Sequence, residues 1–314
     1  MNSKGSVPAS FRVDAEVAEV RERGGAVVAL ESTLVAQGLP WPENLETARE
    51  AEAAVRAAGA VPATVAVLAG LVRVGLSGAE LEHLARSGTF AKAGRRDLAA
   101  AVASGLDAAT TVAATLWVAR RCGLGVLATG GLGGVHRDAA TTFDISNDLD
   151  ELARADGALV VCSGVKSILD VPATLDALET RGVAVVGFGT STLPAFTSPD
   201  SGLPLETRAD SPAVAAALVQ AHRALGLPGA IVLAQPVPPG VALDRDEMEQ
   251  SLALALAEAR ERGIAGKALT PFLLEHLRRA TGGRSLRANR ALIVANAGLA
   301  GAVAVALAAE DGRA

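Results

Sequence analysis

The chain has 314 residues, half of them apolar, with aromatic residues at only 3% and no tyrosine, so stacking on nucleic-acid bases is poorly provided for. A net charge of −5 and a pI near 5.5 argue against a phosphate-backbone partner. The length supplies one large domain or two small ones with a full core. Cys122 and Cys162 are far apart and form neither a CxxC nor a zinc pattern, the usage of a reduced, intracellular protein. Of the 29 lysines and arginines only four are lysine: Lys4, Lys92, Lys166 and Lys267. Where arginine serves as the general surface cation, a retained lysine points to chemistry that a permanently charged guanidinium cannot do, such as attack by a neutral amine.

In chain order, residues 1–22 are polar and charged, lack the apolar run of a secretion signal, and read as a tail with a short helix. Residues 23–314 read as a single domain. Ala26–Glu31 is an apolar strand and Glu43–Ala58 an Ala-rich helix. A strand at Ala63–Leu68 precedes short helices at Ser77–Ser87 and Arg96–Ser104, then a helix at Thr110–Arg121. Strand Gly125–Ala128 leads to helix Ser146–Ala155, capped by Ser146 or Asn147. Strand Ala158–Cys162, helix Pro172–Arg181, and strands Val183–Gly187 and Ala230–Ala234 follow. Helices at Asp244–Arg262, Pro271–Thr281 and Ser285–Ala309 close the chain. Arg290–Ala309 is long enough to span a bilayer, but its Ala/Gly content and Asn296 favour a helix buried between layers of a soluble fold. The alternation predicts a three-layer α/β/α fold around a largely parallel, mixed sheet. Sites in such folds lie at the carboxyl ends of strands.

Four strand ends carry candidate chemistry. Glu31-Ser32-Thr33 ends the first strand, either as a site carboxylate with two hydroxyls or as a turn cluster. Thr129-Gly-Gly-Leu-Gly-Gly-Val-His136-Arg137 offers glycine amides and a cationic pair to an oxyanion or phosphate, although it matches neither GxGxxG nor a P-loop. Asp144, just before Ser146-Asn147-Asp148, is either a hard-metal ligand or an acidic helix cap. Lys166 follows the run Gly157–Val165, where a strand delivers it to the edge of a sheet. Burial there disfavours the ammonium and favours the free amine; the other reading is a lysine reaching from a strand end to water.

Together these segments resemble the pseudouridine-5′-phosphate glycosidase family, also called indigoidine synthase A-like. The resemblance runs from about Ala26 to Ala309. It is carried by LESTLVAQGLPWPEN from Leu30, GAVPATVAVLAG from Gly59, AKAGRRDLA around Lys92 and ATTVAAT from Ala109. ATGGLGGVHRDAATTFDISNDLDELA from Ala128, SGVKSILDVPATLDALETRGV from Ser163 and GIAGKALTPFLLEHLRRATGGRSLRAN from Gly263 extend it.

The resemblance implies reversible cleavage of the C–C glycosidic bond of pseudouridine 5′-phosphate, giving uracil and ribose 5-phosphate. A carbon leaving group suits the two-carboxylate scheme of ordinary glycosidases poorly. By similarity to the family, Lys166 attacks C1′, opens the ribose and forms a Schiff base, while Glu31 is the acid that protonates the departing carbon. The resemblance also implies substrate contacts from Lys92, which matches the phosphate-holding position, and from Val112, Ser146, Asn147 and Asp148. Thr129, His136 and Asn289 lie in family blocks expected to line the pocket. Asp144 matches a manganese ligand, one Mn²⁺ per subunit. The implied protein is a cytoplasmic homotrimer that acts on a small molecule and engages neither nucleic acid nor membrane. Lys267 reads as structural or interfacial.

The chain departs from the family pattern at Gln37, where many members have His, at Gly94 in place of Ser, and at Gln235-Pro236 in place of Asn-Pro. These losses of a titratable group and a hydroxyl bear on substrate preference and rate rather than reaction class. A separate sugar kinase is expected to supply the phosphorylated nucleoside. Two other readings are a Schiff-base phosphosugar lyase or aldolase that ignores uracil, and a non-catalytic phosphosugar- or nucleotide-binding regulator. The second has no use for a Glu31–Lys166 pair.

Overall fold

The structure, a computed structural model, describes residues 8–264 and 269–311, so Lys4 and Lys267 lie outside the described residues. The chain opens with β1 (Phe11–Val13), α1 (Ala15–Glu22) and β2 (Val27–Leu30), then α2 (Glu43–Ala57), β3 (Val61–Leu68) and β4 (Leu71–Val74). Next come α3 (Gly78–Arg86), β5 (Ala91–Ala93), α4 (Leu98–Ala103), β6 (Ala108–Thr110), α5 (Val112–Arg121) and β7 (Val126–Ala128). A one-turn α6 (Ala139–Thr142) and α7 (Asn147–Arg154) lead to β8 (Leu159–Cys162), α8 (Val171–Thr180) and β9 (Ala184–Phe188). The last elements are β10 (Thr207–Ala209), α9 (Pro212–Ala224), β11 (Ile231–Ala234), α10 (Arg245–Glu261), α11 (Leu269–Ala280) and α12 (Arg284–Asp311).

All the strands join one mixed sheet in the order β1-β4-β3-β2-β7-β8-β11-β9-β10, with β6 also beside β3 and β5 beside β6. Its centre, from β3 through β2, β7, β8 and β11 to β9, is parallel; β4 and β6 run antiparallel to β3. Central strands buried on both faces read as unbroken apolar runs, which is how β2, β8 and β11 stand in the sequence. Side chains alternate between the faces. Val27, Ala29, Leu127 and Val160 meet residues of α1, α4, α5, α7 and α8. Val28, Leu30, Val126 and Val161 meet α2, α9 and α12. This is the three-layer arrangement expected from the alternation.

The six anticipated strands are present as β2, β3, β7, β8, β9 and β11. The expected short helix near the N-terminus is α1, but β1 precedes it and pairs with β4, so from Phe11 onward this segment belongs to the sheet rather than to a tail. The helix expected from Thr110 divides at Thr111: Thr110 ends β6, and the Thr111 hydroxyl caps α5 by accepting from Ala114 N. Strands β1, β5, β6 and β10 have three residues each, too short for a period-two pattern to register.

Helix α12 meets the length and hydropathy of a membrane span, yet it packs along α2 and α9 and over β2, β7 and β8 as a core helix. Its small residues permit close approach: a Cβ at Gly301 would lie 2.8 Å from Ala58 Cβ and 3.1 Å from Val55 O of α2. Gly301→Leu should therefore overpack this seam and cost about 1–3 kcal/mol in urea-monitored unfolding. An unchanged midpoint would show that the α2–α12 seam yields freely.

Candidate active site

Glu31 is the first residue beyond β2 and is only 4% exposed. An enclosed carboxylate requires donors, and two hydroxyls provide them. Thr33 Oγ1 donates to Glu31 Oε2, and Thr129 Oγ1, just past the neighbouring strand β7, donates to Oε1. Ser32 anchors the same segment to β6: its amide donates to Thr110 O at 3.2 Å, and its Oγ accepts from Thr110 N at 2.8 Å. Hydroxyls past β2 and β7 thus hold the side chain, and the end of β6 fixes the segment that carries it.

The glycine loop after Thr129 is folded for close packing. A Cβ at Gly131 would lie 2.7 Å from the Phe196 ring, and Cβ atoms at Gly133 and Gly134 would overlap Ser146 and Thr174. Several of its amides donate within the protein: Leu132 N to Gly164 O, Gly133 N to Asp148 Oδ2 and Val135 N to Thr174 Oγ1, each at 2.9 Å. These three amides are committed within the protein, and the glycines are required by what lies against them. The expected cationic pair also divides. His136 faces the cavity, whereas Arg137 is held in a two-pronged ion pair with Glu249 at 2.8 and 2.9 Å.

Lys166 lies past the carboxyl end of β8, an interior strand between β7 and β11 rather than a sheet edge. Leu132 and Val165 bridge in parallel register, and Lys166 N donates to Leu132 O at 3.1 Å, so the two loops leave the sheet side by side. Gly164 makes this possible: its φ is +74°, and the Pro194 carbonyl occupies the space a Cβ would need. Lys166 is half-buried, not enclosed as its apolar approach suggested.

Asn296, fully buried on α12, ties the two loops together. Its Nδ2 donates to Thr129 O at 2.9 Å, Gly130 O at 3.3 Å and Ser163 Oγ at 3.1 Å, and its Oδ1 accepts from Gln235 Nε2 at 3.1 Å. In sequence Asn296 is marked only as a lone polar residue in an apolar helix.

Glu31 and Lys166 line one cavity of about 410 Å³ with Lys92, Val112, His136, Asp144, Ser146, Asn147 and Asp148. That volume suits a small phosphorylated ligand. Lys92 is exposed on β5 and also borders a wider outer cavity of about 830 Å³. Val112 is 1% exposed and stands in the first turn of α5 at the cavity wall. Asp148 is buried with both oxygens engaged, Oδ1 by Ala113 N and Oδ2 by Gly133 N, each at 2.9 Å. It therefore joins α5, the glycine loop and α7. Ser146 is the cap of α7, and the half-buried Asp144 carboxylate faces the cavity with His136 Nε2 at 3.9 Å. Among the described residues no group of three or more His, Cys, Asp and Glu is placed to hold a metal. One carboxylate amid hydroxyl and amide groups is the donor set of a hard, largely hydrated cation.

Two anticipated residues lie elsewhere. Thr129 reaches this cavity only through Glu31. Asn289 lines a neighbouring cavity of about 520 Å³ with Gln37, Ser167 and Thr197. Lys166 and Ser167 thus face different cavities. Arg96, Asp97 and Thr111 on the Lys166 side were not anticipated.

Residues 16–306 match the family model described as indigoidine synthase A like protein. The chain belongs to that family. A pseudouridine-5′-phosphate glycosidase from Methylobacterium nodulans is 54% identical over 93% of this chain and 86% of its own length. One from Streptomyces griseus is 54% identical over 94% of this chain and 92% of its own. Among solved structures, the prealnumycin C-glycosynthase AlnA in complex with ribulose 5-phosphate superposes with a TM-score of 0.90 at 38% identity, over 98% of this chain and all of that one. An indigoidine synthase A-like protein from Thermotoga maritima gives 0.85 at 38% identity, over 95% and 96% of the two chains.

Within this indigoidine synthase A-like fold the cysteines are poor nucleophiles. Burial pushes the Cys162 thiol up to about 12 and the Cys122 thiol, against the opposing Arg21 charge, to about 11. Replacing Asn296 by the similarly sized Leu should strand the Thr129 carbonyl and break the tie to the Ser163 hydroxyl, at a cost of roughly 2–4 kcal/mol, with kcat falling even where the variant stays folded. Unfolding curves and turnover of Asn296→Leu measure this; wild-type stability would show that the strap is dispensable.

Proposed function

We propose that the chain reversibly cleaves the C–C glycosidic bond of pseudouridine 5′-phosphate to uracil and ribose 5-phosphate through a Schiff base on Lys166. The observation that carries this reading is the convergence of Glu31 and Lys166 on one cavity bordered by Lys92 and the Ser146–Asp148 turn. The likeness to glycosidases over more than nine-tenths of the chain supports it. A lysine amine and a carboxyl are complementary roles for breaking a bond to carbon.

In this reading Lys92 and the Ser146-Asn147 turn hold the phosphate, with His136 at the same wall. The neutral Lys166 amine bonds to C1′ as the C1′–O4′ bond opens, and the proton that the new ammonium nitrogen loses passes to O4′, which frees a nitrogen lone pair. That lone pair then forms C1′=N as the C1′–C5 bond breaks. The released electron pair passes to uracil C5, which takes a proton from Glu31. Water adds to the iminium, and ribose 5-phosphate leaves as the amine is restored. Thr33 and Thr129 orient the Glu31 carboxyl throughout. Asn289 lines the adjoining cavity, which neither Glu31 nor Lys166 borders, and takes no part in these steps.

Asp144 is proposed to hold one Mn²⁺ per subunit, with water as most of its shell; the ion supplies charge for phosphate and ordered water. Three copies of the chain are proposed to assemble, and to work in the cytoplasm. The C-glycosynthase likeness supports bond formation as well as cleavage by this scaffold. Glu31 is the side chain that separates this reading from a phosphosugar-binding regulator, which needs no acid.

The protein mixed with uracil, ribose 5-phosphate and Mn²⁺ should form a C-nucleotide, and Glu31→Gln should slow both directions by roughly 10²-fold or more. Product absent from the wild type, or normal rates in Glu31→Gln, would refute the assignment. Chelation should suppress turnover reversibly, with Mn²⁺ restoring it better than Zn²⁺; full activity in excess EDTA would remove the metal from the scheme. Light scattering should give three times 31.6 kDa, and the mass of a lone chain at micromolar concentration would refute the trimer.

A further inference from the structure

Behind Glu31 lies a second, much smaller cavity of about 20 Å³, lined by Leu34, Ala48, Ala51, Thr64, Thr129 and Ile293 among others. Of its lining residues only Glu31 also borders the 410 Å³ cavity. The space holds about one water, and the hydroxyls of Thr64 and Thr129 with the Glu31 carboxyl are the polar partners a water needs. Thr64 sits opposite Leu30 in the β2–β3 register, one residue from Glu31, and is 2% exposed. Its Oγ1 donates to Glu52 Oε1 at 2.6 Å. Glu52 is half-buried on the outer helix α2. A water in the small cavity would join the enclosed acid to Thr64 and Glu52, on a path separate from the substrate cavity.

We propose that Glu52, Thr64 and one water in this small cavity form a proton relay that recharges Glu31 from solvent. The relay rests on Glu31 being the acid of the proposed reaction. With Glu31 4% exposed and substrate filling the cavity in front of it, a proton given to carbon is not readily replaced from that side. The water passes a proton to the Glu31 carboxylate and takes one from the Thr64 hydroxyl. Thr64 takes one from the Glu52 carboxyl, and Glu52 takes one from bulk water. Each O–H bond broken is matched by one formed, and in synthesis the same chain runs outward. Burial raises the proton affinity of Glu52, against the Thr64 hydrogen bond and the charges of Arg56 and Arg49 on its own helix. Arg56 is itself engaged by Glu16 of α1 at 2.7 Å, which moderates its pull.

The test compares wild type, Glu52→Gln, Glu52→Ala and Thr64→Val in turnover of pseudouridine 5′-phosphate and in borohydride trapping with ribose 5-phosphate. Glu52→Gln and Thr64→Val should lower kcat about 10-fold or more at unchanged KM, with trapping at Lys166 intact. Acetate or formate should restore Glu52→Ala several-fold by supplying a diffusible acid. A kcat within twofold of wild type in both Glu52→Gln and Thr64→Val would overturn the relay. So would loss of kcat and trapping together without rescue, since a bond that merely ties α2 to β3 predicts that. A wild type that traps ribose 5-phosphate but does not turn over would overturn the parent reading, and the relay with it.

Discussion

The site depends on one strap, the buried Asn296 amide that joins the carboxyl ends of β7 and β8. Through Thr129 it fixes the hydroxyl that orients Glu31, and through Ser163 it fixes the turn that presents Lys166. Parallel neighbours bring their carboxyl ends to the same side of the sheet but leave the loops beyond free to diverge. A buried amide with every group engaged imposes one relative position, because a half-satisfied one carries a steep cost. Gln235, past the next strand β11, joins the same amide. It stands where the family pattern has Asn, and the strap reaches it without loss of a hydrogen bond.

The glycines serve the same end by a different means. Gly131, Gly133, Gly134 and Gly164 sit where the two loops and α7 press together, and each approach excludes a side chain. What such a motif suggests in isolation, an open nest of amides for an anion, is displaced by packing that consumes several of those amides. The basic side chains at the cavity come instead from three segments: Lys92 and Arg96 from one, His136 from the glycine loop and Lys166 from beyond β8. Aspartates 97, 144 and 148 and Glu31 oppose them at its walls.

Much of this was legible in the sequence. Unbroken apolar runs betray themselves by composition, so β2, β7, β8 and β11, though only three or four residues long, and the strand ends that carry Glu31, Thr129 and Lys166 could be read directly. Asp144, His136 and the Ser146 cap lay in one continuous segment, and their convergence follows from its length. The illegible parts are those fixed by partners distant in sequence. Strand β5, which places Lys92, has three residues and exists only because β6 pairs with it. The engagement of Arg137 by Glu249 and of Asp148 by two amides depends on tertiary neighbours that no local pattern announces. Asn289 lay in a recognisable block, yet only the fold separates its cavity from that of Lys166.

The central claim is that the Lys166 amine forms the covalent bond to the sugar. Borohydride reduction in the presence of ribose 5-phosphate, followed by peptide mass mapping, tests it most directly. A reduced pentose phosphate should appear on Lys166 in the wild type and in Glu31→Gln, and disappear in Lys166→Arg, whose guanidinium offers no neutral amine. An adduct confined to Lys92 or another lysine, or full turnover in Lys166→Ala, would contradict the account.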